Sequence, residues 1–193
     1  MSSKISFTNS LSKAKLKNNL SACYAALDSV GVQYTELEAS HTEQGCGYEN
    51  AVELRVSSVA YTSPEPLVAT CSLAARLYMW EQEVVAPAAE KYFGSELAGI
   101  EAFGAYSCRK VADTDKLSEH AFAKAADIKA FKLADGRTIS VLDDWHKEGP
   151  EAAFLREIHD EACSIFDVTL GPDYNAAHAN HLHLDVGGQS ACR

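Results

Sequence analysis

The chain is short of positive charge. Its 17 lysines and arginines stand against 27 aspartates and glutamates, a net charge of −10. So acidic a protein is repelled by a phosphate backbone and by an anionic bilayer, which excludes nucleic acid and membrane surfaces as partners. Lys4, Lys13, Lys15 and Lys17 are scattered through a polar segment and read as a solvated face. No apolar run is long enough to span a bilayer, so no membrane insertion is expected. Residues 1–22 hold no apolar stretch of signal-peptide length, so either a leader has been removed or the protein travels by a route that needs none. No CxxC pair is present, which argues against a zinc ribbon or a thioredoxin-type centre. Internal repeats and low-complexity tracts are missing as well.

What is there is enough for one ordinary core: 193 residues, 47% of them hydrophobic. Six cysteines, Cys23, Cys46, Cys71, Cys108, Cys163 and Cys192, read as three disulfides and hence an oxidising compartment, with fifteen pairings possible. Among these, Cys23–Cys46 and Cys163–Cys192 are favoured, leaving Cys71–Cys108. The Cys163–Cys192 bridge would pin a chain end that otherwise frays.

Residues 1–15 read as a flexible lead-in, 16–66 as an N-terminal helix–strand unit, and 67–193 as the core. Leu16, Leu20, Cys23 and Leu27 share a helical face that Gly31 ends, and Val32–Leu37 and Ala51–Val56 alternate as strands do. Leu73, Leu77, Trp80 and Val84 predict the buried stripe of a helix closed by Gly94 and kinked by Pro87. Strands follow at 100–106, 125–131 and, after an Asp135-Gly136 turn, 138–142; Pro150 opens a last helix. With no βαβ rhythm, the fold class is α+β: a small, mostly antiparallel sheet flanked by helices.

Chemistry concentrates at the C-terminal end. His178, His181 and His183 lie within six residues, the last two alternating with Leu182, Leu184 and Val186. A strand there turns His181, His183 and Asp185 to one face and the apolar residues to the other. Imidazoles two apart on a strand lie roughly 6–7 Å apart, close enough to serve one metal site as ligand and neighbour. The opposite wall is sought in Ser118–Asp127, where His120 and Asp127 complete a His2Asp set with one of the histidines. Three protein ligands leave a fourth position free, the catalytic arrangement of zinc. His41, His146 and His159 are isolated and receive no role.

Ser118-x-His120-x-x-Ala123-x-Ala125-x-Asp127 resembles the SxHxxGxAxD signature of zinc peptidases that cut peptidoglycan peptides, with Ala123 in place of the glycine. That group includes D-alanyl-D-alanine peptidases, penicillin-insensitive murein endopeptidases and the hedgehog-type metal fold. His178-x-x-His181-x-His183 is similar to the murein endopeptidase version of the second motif. The Gly45–Asn50, Cys71–Ala74, Tyr106–Arg109, Leu117–Ala121 and Leu170–His178 segments resemble the bacterial extensin-like C-terminal domain family over roughly 20–193.

The resemblance implies zinc held by His120, Asp127 and His183. It makes His181 and His178 the catalytic pair, and it gives Arg109 a part in holding substrate or steadying the oxyanion. Ser118 and Asp173, with Asp185, are candidates for substrate contact or for orienting a ligand. The expected activity is a zinc peptidase acting on peptidoglycan cross-links, periplasmic or secreted. The alternatives are a non-catalytic zinc-containing module that binds the cell wall, and an interbacterial toxin with the same chemistry and an immunity protein as partner.

Overall fold

The structure is a computed structural model that describes residues 19–112 and 114–193. The expected lead-in, residues 1–15, and Leu16 lie outside the described residues. Helix α1 (Leu20–Ser29) starts where the Asn19 side chain accepts the Ala22 N–H at 3.0 Å. Strand β1 (Gln33–Glu36), the hairpin β2 (Ser40–His41) and β3 (Gly47–Tyr48), and strands β4 (Ala51–Val56), β5 (Ala60–Thr62) and β6 (Leu67–Thr70) follow. Helix α2 (Cys71–Trp80), capped by Thr70, passes through a π-helical turn at Glu81–Val85 into α3 (Ala86–Phe93). Then come β7 (Leu97–Gly104), β8 (Ala125–Leu133), β9 (Thr138–Ser140), the short α4 (Val141–Asp144) and α5 (Pro150–Ile165). Strands β10 (Val168–Leu170), β11 (Leu182–Asp185) and β12 (Ala191–Cys192) close the chain.

The sheet is larger than the sequence suggested. Ten strands join it in the order β1-β4-β5-β7-β8-β11-β10-β12, with β6 on β4 and β9 on β8. It is mixed, because β5 runs parallel to β7 and β10 parallel to β12. The sequence missed this size because β5, β10 and β12 are only two or three residues long, too short to show a period. Strands β4 and β5 belong to this sheet, and Cys23, Leu27, Val52 and Leu54 share one apolar cluster with Trp80, Phe131 and Leu184.

Helices α2 and α5 cover one face of that core. Trp80 lies edge-on to Phe131 with ring centroids 5.8 Å apart and donates its indole N–H to the Ile158 carbonyl at 2.9 Å. Buried Arg76 on α2 reaches Asp167, just before β10, at 2.8 Å and so ties a helix to the sheet edge. Leu182, Leu184 and Val186 point into this core, as alternation demanded.

Three disulfides are formed. Cys163–Cys192 is as expected, and it holds β12 beside α5. The other two expected pairings are corrected: Cys23 joins Cys71, and Cys46 joins Cys108. Cys23 is buried in the middle of α1 against the first residue of α2, while Cys46 sits at the tip of the β2–β3 hairpin over the segment after β7. Loop closure costs only slightly more as the loop lengthens, so nearness in sequence is a poor guide to pairing.

Candidate metal centre

The face of β8 and β11 opposite the helices carries the site. In their antiparallel register His183 lies directly across from Asp127. His120 comes from a 3-10 turn, Glu119–Phe122, packed over this pair. Ser118 starts the turn, its hydroxyl accepting the His120 N–H at 3.3 Å, and Ala123 ends it at φ +54°.

The donor atoms converge. His120 Nε2 is 3.0 Å from Asp127 Oδ1 and 3.2 Å from His183 Nδ1, and His183 Nδ1 is 3.0 Å from the same oxygen. Protonation can be read from the far sides of the rings. His120 Nδ1 lies 2.6 Å from the Ala105 carbonyl, an acceptor only, so it carries the ring's proton. His183 Nε2 faces the Asp185 carboxylate at 3.3 Å and donates to it in the same way. In the neutral form of each ring the inward nitrogen is therefore bare, and the Asp127 carboxylate has no proton to offer. Three lone-pair donors within 4.8 Å of one another repel unless a cation lies among them. A divalent ion that accepts nitrogen and oxygen ligands, zinc above all, fits this donor set.

The electrostatics agree. Burial works against the Asp127 charge, but the hydrogen bonds from His120 and His183 prevail and hold its carboxyl far below the usual carboxylate range. His183 is pushed up to about 9: burial opposes its charge, and the bonds to Asp127 and Asp185 outweigh it. A proton thus stands in for a cation at the same place.

Arg109 donates from Nη2 to the other Asp127 oxygen at 3.0 Å, while half of its side chain stays exposed. The Cys46–Cys108 bridge anchors the segment next to it. His181 immediately precedes β11. Its Nδ1 donates to Asn180 Oδ1 at 2.8 Å, which leaves Nε2 bare, 3.4 Å from Asp127 Oδ1. His178 ends a 3-10 turn, Ala176–His178, and donates from Nδ1 to Asn175 at 2.7 Å. Its ring centroid is 5.1 Å from that of His181 and 5.8 Å from that of His183. Burial first, then the neighbouring histidines, push His178 down to about 4; burial likewise lowers His181. Both are neutral imidazoles at pH 7.

His120, Asp127, His183, His181, His178 and Arg109 are thus brought together, with Ser118 and Asp185 behind them. Asp173 stands apart: it accepts the Trp145 indole N–H at 3.0 Å and lies 3.9 Å from His146. His41 pairs with Glu49, and His159 packs against Trp145. Sequence reasoning missed Ala105, whose contribution is a carbonyl and leaves no mark in the sequence. It also missed Phe103, whose ring lies 5.9 Å from that of His181. Asn175 and Asn180 had a signal, a short polar residue three and one positions before a histidine. A cavity of about 520 Å³, bounded by His41, Tyr48, Phe122, Lys124 and Gly187, opens beside the cluster and includes none of its donors.

Fold and site together define a disulfide-bonded mixed α/β protein with a buried His2Asp group able to hold a metal ion. The chain belongs to the family described as Extensin-like protein C-terminus, whose pattern it matches over residues 21–193. No curated protein and no solved structure matches the chain. The disulfides are consistent with a location outside the cytoplasm, and no helix among the described residues is long and apolar enough to cross a membrane.

Proposed function

We propose that the protein is a zinc-dependent peptidase hydrolysing peptidoglycan peptides, an endopeptidase of cross-links that works in the periplasm or after secretion. The observation that carries this reading is the convergence of His120 Nε2, Asp127 Oδ1 and His183 Nδ1 within 4.8 Å of one another, beside the imidazoles of His181 and His178. The substrate class rests on the likeness of the Ser118–Asp127 and His178–His183 motifs to those of wall-cutting peptidases.

When bound, the ion supplies Lewis acidity, which polarises a carbonyl and acidifies water. The protein supplies the rest. His120, Asp127 and His183 hold the ion, and the Ala105 carbonyl and Asp185 fix which ring nitrogens face it. His181 Nε2 accepts the proton released as the amide is attacked and returns it to the leaving amine. Its hydrogen bond to Asn180 keeps that nitrogen bare. Arg109 holds Asp127 with one edge of its guanidinium, and the exposed part steadies negative charge on the attacked carbonyl, while His178 packs against His181 at a ring-centroid distance of 5.1 Å.

Purified protein loaded with zinc should release new termini from cross-linked muropeptides, read by mass spectrometry. His120→Ala and Asp127→Ala should lose bound zinc and cleavage together. Intact muropeptides after incubation with zinc, manganese, cobalt and nickel forms would overturn the reading.

A further inference from the structure

Among the described residues, five large apolar side chains stand exposed: Leu20, Phe103, Val111, Leu142 and Tyr174. Two of them touch the histidine cluster, and each touches a different histidine outside the His2Asp group. Phe103, near the end of β7, meets the His181 ring at a centroid distance of 5.9 Å and an angle of 88°. Tyr174 meets the His178 ring at 5.3 Å and 68°.

Both rings are held in place before any ligand arrives. Phe103 has His181 on one side and the Lys129 ammonium 5.7 Å from its ring centre on another. The β7–β8 register slips between Glu101 and Ala102 and again between Ala102 and Gly104, across Phe103, and such irregularities re-aim a side chain next to a site. Tyr174 sits in a turn closed by its own N–H on the Gly171 carbonyl at 3.0 Å. The preceding Asp173 is fastened to the Trp145 indole. Yet Phe103 is 44% and Tyr174 47% exposed. Neither ring is consumed by the core. Rigid aromatic surface left open beside reactive groups is the usual form of a preorganised contact.

We propose that Phe103 and Tyr174 determine specificity, gripping an alkyl side chain on the peptide residue that adjoins the scissile amide. The proposal rests on the peptidase reading above. The chemistry of the rim favours an alkyl group over a charged one. The cation over Phe103, Lys129, is already paired with Glu101 at 2.9 Å, so what that ring offers is apolar area.

The test measures binding, apart from turnover. Calorimetry on the metal-free full chain uses a cross-linked muropeptide dimer, and then a pair of short synthetic peptides carrying alanine or glycine at one position. Phe103→Ala and Tyr174→Ala should each weaken dimer binding about tenfold or more. Phe103→Leu should retain most of the affinity, and zinc stoichiometry and melting temperature should stay as in the wild type. The wild type should prefer the alanyl peptide, and the double variant should lose that preference. Wild-type affinity in both alanine variants, no preference for the methyl group, or no binding of the dimer by the wild type overturns the proposal. Rim-dependent binding without cleavage by any metal form leaves the rim standing and removes the peptidase reading. Cleavage whose substrate affinity ignores both rings does the reverse.

Discussion

Ala123 shows how much one backbone angle can constrain a site. It holds φ +54°, a left-handed conformation that ends the turn carrying His120, and the resembled signature has glycine there. For a residue with a side chain that conformation costs about 1–2 kcal/mol. Changing Ala123 to glycine relieves the cost, but the loss of a fully buried methyl takes back about 0.8 kcal/mol. The freer unfolded chain takes back a further 0.4–1 kcal/mol or so. Ala123→Gly should therefore lie within about 1 kcal/mol of the wild type in urea denaturation, and should bind zinc equally. Ala123→Val places a branched chain at the same angle in a filled site, and should lose about 2–4 kcal/mol and weaken zinc binding. At this scale the sequence was legible where side chains meet, as in the convergence of His120, Asp127 and His183. It was silent where the backbone does: no residue type reveals that the Ala105 carbonyl sets the His120 tautomer.

The long helix was legible as an element, and its buried face was misjudged by one position. Leu73, Leu77 and Trp80 are buried as their spacing predicts, but the next core residue is Val85, with Val84 only half-buried. The cause is the π-turn at Glu81–Val85, where the Ala86 N–H reaches back to the Glu81 carbonyl. One extra residue per turn rotates the face, just before Pro87, where a kink was expected. The same turn buries Glu81 completely, where it accepts the Ser58 N–H at 2.8 Å and the Tyr61 hydroxyl at 2.6 Å. Burial outweighs these bonds and raises its pKa. The native state therefore binds more protons than the unfolded chain just above the ordinary glutamate value of about 4.3. Stability from this group is complete below that value and is lost as pH rises through the raised one. Because other shifted groups titrate in the same interval, the readout is the difference: the urea midpoint of the wild type should fall with rising pH relative to that of Glu81→Gln. Glu81→Ala strands the Ser58 and Tyr61 donors and should cost about 1–3 kcal/mol throughout.

At the scale of the whole molecule, the bridges join parts that the sheet leaves far apart in sequence. Cys23–Cys71 fastens α1 to α2, Cys46–Cys108 fastens the β2–β3 hairpin to the segment carrying Arg109, and Cys163–Cys192 fastens β12 to α5. The cysteine count alone revealed that such bridges exist. Their partners depend on where the β2–β3 hairpin folds back, and that is decided by long-range packing no local pattern records. With loops of 48, 62 and 29 residues, chain entropy assigns about 4 kcal/mol to each bridge. Three bridges of that size rival the whole stability of an ordinary domain, about 5–15 kcal/mol. Full reduction by dithiothreitol at 37 °C should therefore unfold the protein, seen as loss of near-ultraviolet dichroism and release of bound zinc. Replacing only Cys46 and Cys108 with serine separates the site from the fold. The core should survive, with its urea midpoint lowered in proportion to about 4 kcal/mol. The freed Arg109 segment should hold Asp127 less well, so zinc affinity should fall about tenfold or more. Unchanged zinc affinity in that double variant would show that the bridge serves the fold alone.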